Sequence, residues 1–372
     1  MARSAQAHDG PKPRPALVRD MTGSASGTPV QAPEVVLDPR PAVDFLVSLM
    51  LDTDSDLLPQ DREWLEASRA SLSDALRRDL ARVFGDAHAT KGFGTAIVAL
   101  AIEDATVRSS EDVVSLAGRV GARELLAAFC GDEEMDGAVA LAHRVLDGEH
   151  DQRDQTLAMW PEEDRPAVGR ILDDADAEMR ALRRVLRAWR ERFEPIEARI
   201  ARMEERDVAG RRADLARLGL ADFVEQATAG VRWVPKPAIR RLYLAPSYFT
   251  RPYNYVFGGR DWHMFVYPLA DSALDGEGRG VPPSSVRLFK ALGDESRLRI
   301  LSLLASGDLY LTEIADRMGL SKPTVSHHLA QLRAAGLVTA TQSGAITYYT
   351  LRRDRIAEIG VEFSRLLGAP TS

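Results

Sequence analysis

Residues 311–338 have the sequence LTEIADRMGLSKPTVSHHLAQLRAAGLV, which predicts a helix, a short turn and a second helix. We expect Thr312 to cap the first helix, Glu313–Met318, and Gly319 to end it. Ser321 is then the expected cap of the second helix. Two capped helices joined by a short turn that contains glycine form a helix-turn-helix, whose second helix enters the major groove of DNA.

The second helix has one apolar face and one polar face. Leu329 and Leu332 each fall within about one-tenth of a turn of Val325, so these three residues predict the buried stripe. The remaining positions hold small or hydrogen-bonding side chains, which suit phosphates and base edges better than a core. We therefore expect DNA contacts from Ser321, Lys322, Thr324, Ser326, His327, Gln331 and Arg333.

His327 and His328 are adjacent, and adjacent helical side chains diverge by about 100°. The two rings are therefore poorly placed to share a metal ion. We expect His327 to contact a base or a phosphate, and His328 to pack, hydrogen-bonded, at the margin of the core.

Two β-rich segments follow, Leu337–Ala340 and Ile346–Leu351, and a polar turn with one glycine joins them. They predict a β-hairpin that serves as the wing of a winged helix. Its tip would bring Gln342 and Ser343 to the DNA backbone or minor groove, with Arg352 where the hairpin returns. A hairpin with a purely structural role is the alternative interpretation.

Further helices are predicted on both sides of this unit. Ser284–Leu292 and a helix capped by Asp294 carry apolar residues at helical spacing. The last helix, Ile356–Leu367, has an apolar face that includes Ile359 and Phe363. A terminal helix with such a face usually packs on something, and a second copy of the chain is the natural candidate.

Three segments carry a resemblance to a known family: LFKALGDESRLRIL at 288–301, TVSHHLAQLRAAGLV at 324–338 and ITYYTL at 346–351. With them, about a quarter of the chain resembles the ArsR-type winged helix-turn-helix regulators of bacteria. The resemblance implies a homodimer formed through the first and last helices of the domain. It also implies a palindromic operator in double-stranded DNA as the partner.

The resemblance does not extend to the metal ligands of metal-sensing ArsR-type members. Their paired cysteines lie on the first helix of the motif, at positions that here hold Tyr310 and Thr312. Where other members have histidines, the last helix offers only Asp354, Glu358 and Glu362. Cys130, the one cysteine of the chain, is expected to be a buried structural thiol. We predict no thiolate metal site and no cofactor.

The chain of 372 residues has a net charge of -7, but the charges are segregated. Residues 284–372 contain eleven Lys or Arg and eight Asp or Glu, whereas the rest contains 37 and 47. A mildly basic module attached to an acidic body is typical of a DNA-binding domain with a separate sensor or partner domain.

The predicted fold class is mainly α. Residues 1–32 are expected to form a disordered tail, and 33–274 a helical domain with a β-hairpin that acts in sensing or dimerisation. The Gly- and Pro-rich segment 275–283 is the expected linker, and 284–370 the winged helix-turn-helix domain.

Two features of the helical domain stand out. Pro195 is expected to kink or break its longest helical pattern. Nine of the chain's 24 aromatic residues lie between Tyr243 and Tyr267, where Gly258 and Gly259 separate two aromatic runs and predict a β-hairpin. Packing of a small sheet on the helices and an aromatic-lined pocket or interaction surface are both open interpretations of this segment.

Several function classes are disfavoured. The chain has no run of about 18 apolar residues to cross a membrane. The first 283 residues lack GxSxG, P-loop, GxGxxG and HExxH motifs, so we predict no catalytic residue and no enzyme. We expect a cytoplasmic, sequence-specific DNA-binding regulator, most simply a dimeric repressor, with a small-molecule effector as an option. A winged helix that binds a protein partner and an enzyme fused to a regulatory domain are the alternatives.

Overall fold

The computed structural model describes residues 32–51, 59–86, 90–130, 135–228, 230–233, 237–250, 254–274, 281–343 and 346–367. Residues 1–31 of the predicted tail and 275–280 of the predicted linker lie outside these ranges, as does the side chain of Cys130. Helices predominate in the described ranges, which confirms the mainly α fold class. None of the described helices is long and apolar enough to cross a membrane.

The N-terminal part of the chain consists of helices packed against a mixed β-sheet. Its helices are α1 (Pro41–Met50), α2 (Pro59–Ala70), α3 (Asp74–Phe84), α4 (Ala96–Glu103), α5 (Ser110–Arg119), α6 (Ala122–Cys130), α7 (Asp136–Leu146), α8 (Arg153–Ala158), α9 (Arg165–Asp173), α10 (Ala175–Arg217) and α11 (Leu220–Ala227). Its strands are β1 (Glu34–Leu37), β2 (Gly85–Asp86), β3 (Thr90–Lys91), β4 (Val231–Arg232), β5 (Arg241–Ser247), β6 (Tyr255–Gly258) and β7 (Trp262–Pro268).

Helix α10 is the central packing element of this part. Asp174 caps it, since its carboxylate accepts a hydrogen bond of 2.8 Å from the N–H of Ala177. Of the two expectations at Pro195, the break is wrong, because α10 continues through the proline and the helix boundary falls at Asp174 instead. The kink stays a prediction. Phe193 and Ile200 are buried on either side of Pro195, and this packing offsets the hydrogen bond that a proline removes.

The main sheet has the strand order β1-β5-β7-β6. Strands β6 and β7 form the predicted antiparallel hairpin around Gly258 and Gly259. Gly259 is required there because a Cβ atom would collide with the indole of Trp262. Strand β5 pairs in parallel with both β1 and β7, which the hairpin prediction did not include.

A buried acid pair lies where α1, α10 and the end of β5 meet. The carboxylate of Asp44 accepts hydrogen bonds from the hydroxyl of Ser247 and from the N–H groups of Tyr248, at 2.7 Å, and Phe249, at 3.3 Å. Glu204 is fully buried, and neither of its carboxyl oxygens has a hydrogen-bond partner within the described residues. Burial, reinforced by the charge of Asp44, holds the pKa of Glu204 well above its ordinary value of 4.5. The neutral, protonated form of Glu204 is therefore favoured in the folded protein.

Glu204→Gln is expected to stabilise the protein at alkaline pH. A raised pKa in the folded state gives stability that is complete below the unfolded pKa, about 4.5, and is lost as pH rises toward the folded pKa. An amide has nearly the size of the protonated carboxyl group, and it does not ionise in this pH range. Between about pH 5 and pH 8 the wild-type melting temperature should fall by more than that of Glu204→Gln, measured by circular dichroism. Glu205→Gln, the exposed neighbour on α10, is the control, and identical behaviour of the two variants would contradict the assignment.

The C-terminal part has a hydrophobic core of its own. Its helices are α12 (Pro283–Leu292), α13 (Glu295–Leu304), α14 (Leu311–Met318), α15 (Lys322–Ala334) and α16 (Arg353–Leu366). Its strands are β8 (Leu309–Tyr310), β9 (Val338–Ser343) and β10 (Ile346–Leu351). Strands β9 and β10 pair antiparallel and form the predicted hairpin.

The sheet of the C-terminal part includes a strand from the N-terminal part. Its strand order is β4-β9-β10-β8, and β4 runs parallel to β9 with Val231 opposite Ala340. The carbonyl of Gly230 accepts a hydrogen bond of 3.1 Å from the N–H of Ala340. The φ of Gly230 is 112°, a conformation that glycine adopts without strain. The two parts of the chain are therefore joined by backbone hydrogen bonds as well as by sequence.

Candidate nucleic-acid interface

Helices α14 and α15 form the helix-turn-helix. Gly319 has φ 68° and ends α14 in the left-handed region. The hydroxyl of Ser321 accepts a hydrogen bond of 3.3 Å from the N–H of Thr324, which confirms Ser321 as the cap of α15. The expected cap at Thr312 is wrong, because α14 begins at Leu311 and Thr312 lies in its first turn.

The two faces of α15 differ in exposure as their periodicity predicts. Val325, Leu329 and Leu332 are fully buried. The exposed residues at the start of α15 and along its open face are Ser321, Lys322, Thr324, Ser326 and His327. Gln331 and Arg333, toward the C-terminal end of the helix, are half-buried. The open face therefore offers hydroxyl, imidazole and ammonium groups close to the free N–H groups of the helix N-terminus.

Gln331 takes part in hydrogen bonds within the domain. Its side-chain oxygen accepts from the guanidinium of Arg297, and its amide nitrogen lies 2.8 Å from Nε2 of His327. Arg297 is itself fixed by donating to the carbonyls of Ala291, at 2.9 Å, and Lys290, at 2.8 Å. Gln331 therefore lies next to the imidazole of His327 and orients it. The role of Arg297 could not be predicted from the sequence, because no periodic pattern connects positions 34 residues apart.

His328 packs at the margin of the core, as expected. Burial lowers its pKa, so the ring is neutral near pH 7. Its Nδ1 atom lies 3.9 Å from Asp294 and forms no hydrogen bond within the described residues, so the expected hydrogen bond is missing at this atom. The rings of His327 and His328 are 6.2 Å apart between centroids, and no metal-type cluster of three or more His, Cys, Asp or Glu occurs within the described ranges.

For the wing, the structure describes the backbone of both strands, β9 and β10. Gln342 and Ser343 belong to β9 by their backbone, opposite Thr347 and Ile346 of β10. Their side chains are outside the described residues. Arg352 is half-buried and forms an ion pair of 3.0 Å with Asp354, so its guanidinium is already partly neutralised.

Helices α12 and α16 pack on each other and leave apolar side chains exposed. The rings of Phe289 and Phe363 meet edge to face with centroids 5.3 Å apart, and the hydroxyl of Ser285 donates to Glu362 at 2.6 Å. The exposed apolar residues of the two helices and the adjoining terminus are Val286, Ile356, Val361, Phe363 and Leu367. The structure thus leaves apolar surface on the two helices that the family resemblance assigns to dimerisation.

Comparison with known proteins agrees with this geometry. Residues 294–340 match the family model described as bacterial regulatory protein, arsR family. The chain is 42% identical over 76 residues to an uncharacterized HTH-type transcriptional regulator, MJ1325, of Methanocaldococcus jannaschii, covering 20% of this chain and 85% of that protein. It is 41% identical over 64 residues to the transcriptional repressor SdpR of Bacillus subtilis, covering 17% of this chain and 71% of that protein. It is also 38% identical over 85 residues to the cadmium resistance transcriptional regulatory protein CadC of Listeria innocua, covering 22% of this chain and 71% of that protein.

Proposed function

Since this chain belongs to the arsR family of bacterial regulatory proteins, we propose that it acts in the cytoplasm as a dimeric transcriptional repressor of a palindromic operator. The observation that carries the proposal is the open face of α15, where Lys322, Thr324 and His327 surround a capped helix N-terminus. Such a helix end enters the major groove, where its first residues contact phosphates and base edges. Ser321, Ser326 and Arg333 lie beside them and fit phosphate contacts.

The wing supplements this contact in the proposed complex. Gln342 and Ser343 lie toward its tip by sequence, and Arg352 follows β10. Gln331 contributes by holding His327 in place.

The exposed apolar surface of α12 and α16 supports the homodimer that we propose. In such a dimer, twofold symmetry would present two copies of α15 to successive major grooves, about 34 Å apart, which is why we propose a palindromic operator. A repressor role is supported by the name of the Bacillus subtilis relative, which is called a transcriptional repressor.

We also propose that the signal is not a thiolate-bound metal. The relative from Listeria innocua is named for cadmium resistance, but this chain has one cysteine, on α6, far along the sequence from the DNA-binding part. Tyr310 and Thr312 offer oxygen atoms and no thiolate. Soft metals such as cadmium favour sulfur ligands, so the N-terminal part is the better place for a signal, and we assign it no enzymatic activity.

Selection from a random duplex library by the full-length protein tests the function whatever the sequence of the operator. We expect enrichment of a palindrome with half-sites about one helical turn apart. Its affinity should fall at least 100-fold between about 50 and 200 mM salt, because the contacts to phosphates release counterions. Enrichment of an asymmetric site would contradict the dimer. No enrichment of any sequence at low salt would contradict sequence-specific DNA binding itself.

A further inference from the structure

The N-terminal part contains a cavity of about 290 Å³ that no step of the proposed function uses. Helices α4 and α6, Asp164 just before α9, and the β6–β7 hairpin contribute residues to its walls. Its volume is close to the lower end of the range for small-molecule sites, about 300 Å³. Five aromatic residues of the segment, Tyr243, Phe249, Trp262, Phe265 and Tyr267, are buried in the core, as the packing interpretation expects, while Phe257 and Trp262 also line this cavity.

The lining of the cavity is aromatic on several sides. Phe129, Phe257 and Trp262 contribute rings, and alanines such as Ala99 leave the space between them open. Trp262 is held by a hydrogen bond of 3.0 Å from its Nε1 to Glu103, and the ring of Phe129 stacks on Trp160 with centroids 6.0 Å apart. The rings are therefore fixed before any ligand enters, which lowers the entropic cost of binding.

The lining of the cavity also includes one charged residue. Asp164 is the only charged residue among the lining residues that the structure describes. Its position is set by backbone hydrogen bonds, since its N–H donates to Pro161 at 3.0 Å and its carbonyl accepts from Ala167 at 3.0 Å. A carboxylate has several acceptor positions, and aromatic faces attract cations. Rings and a carboxylate around one small cavity match an organic cation with an apolar body.

The same hairpin is connected to the wing. Asn254, which directly precedes β6, donates a hydrogen bond of 2.7 Å from its amide to the carbonyl of Thr228. The hydroxyl of Thr228 accepts from the N–H of Val231 at 3.0 Å, and Val231 lies opposite Ala340 of β9. A displacement of β6 by a ligand would therefore reach the wing through a short series of hydrogen bonds.

We propose that this cavity binds a small organic cation with an apolar body and that its occupancy weakens operator binding through the β4–β9 pairing. The regulatory half of this inference rests on the proposed function. The binding half does not depend on it.

Isothermal titration calorimetry of the full-length protein, without DNA, tests the binding half. The probes are benzyltrimethylammonium and its uncharged carbon isostere, neopentylbenzene. We expect the cation to bind more tightly, Asp164→Asn to weaken the cation at least tenfold and leave the isostere unchanged, and Ala99→Leu to remove both by filling the cavity. Glu162→Gln removes a neighbouring exposed charge outside the lining and should change neither.

Equal affinity for the two probes, or no effect of Asp164→Asn, would overturn the cation assignment. No binding of either probe, or binding that survives Ala99→Leu, would overturn the cavity as the site. Circular dichroism checks that Ala99→Leu is folded, and Asp164→Asn tests the site independently because it preserves shape.

Operator affinity with and without benzyltrimethylammonium tests the regulatory half. We expect at least a fivefold loss of affinity when the cation is bound. Asn254→Ala should keep both binding events and lose the coupling between them. A cation that binds without changing operator affinity would overturn the regulation, whereas a ligand-free protein that selects no operator would overturn the proposed function and leave the cavity assignment standing.

Discussion

Replacing Thr324 and His327 together by alanine is expected to reduce operator affinity about 1,000-fold. Each side chain is exposed at the start of α15, where a hydrogen bond to a base or phosphate contributes about 1 kcal/mol or more. A dimer contains four such contacts, about 4 kcal/mol in total, and each 1.4 kcal/mol corresponds to about a factor of ten. Fluorescence anisotropy with the selected operator measures the change.

The matched control is Ser302→Ala on α13, an equally exposed hydroxyl on another helix of the same part. It should bind the operator like the wild-type protein. Both variants should keep the wild-type melting temperature and dimer mass, since neither substitution reaches the core. If Thr324→Ala with His327→Ala bound the operator normally, α15 could not be the recognition helix.

The recognition helix was predictable because its determinants are local. The cap at Ser321, the left-handed glycine at 319 and the stripe of Val325, Leu329 and Leu332 all lie close together in the sequence, and all three are present. The role of Gln331 was not predictable in the same way. Its hydrogen bond to Arg297 depends on how α13 packs against α15, which a helical period does not encode.

In the N-terminal part, too, local features could be predicted from the sequence, whereas long-range pairings could not. The hairpin around Gly258 and Gly259 follows from local turn chemistry, and it is present. The pairing of β1 with β5 joins segments about 200 residues apart, and the β4–β9 pairing joins the two parts of the chain. Long-range partners of this kind have no local signature, so neither pairing could be predicted.

Burial also overrides local preference at single residues. Pro195 predicts a break in an isolated helix, yet the buried side chains on both sides of it keep α10 continuous. Glu204 lies on the same helix and is fully buried, and its burial together with the charge of Asp44 raises the pKa of its carboxyl group. The sequence shows the charge of a residue, whereas the fold determines whether that charge is retained.

Placing two carboxylates on the exposed apolar surface formed by α16 and the residue that follows it is expected to separate the proposed dimer. Val361 and Leu367 are 42% and 68% exposed, so Val361→Glu with Leu367→Glu does not disturb the core of a single chain. In the dimer these positions would be desolvated near their symmetry mates, where unpaired charges of like sign oppose association. Sedimentation should show a monomer at concentrations where the wild-type protein is a dimer.

Loss of the dimer should also lower the operator affinity by about 100- to 10,000-fold. A dimer binds its second half-site as an intramolecular event at high effective concentration, and a monomer loses that advantage. Weak binding to an isolated half-site should remain, because α15 is unchanged. Met159→Glu, which places a carboxylate on an exposed apolar residue of the N-terminal part, should alter neither mass nor affinity. A double variant that still sediments as a dimer would place the interface elsewhere, and the palindrome would then need a different twofold axis.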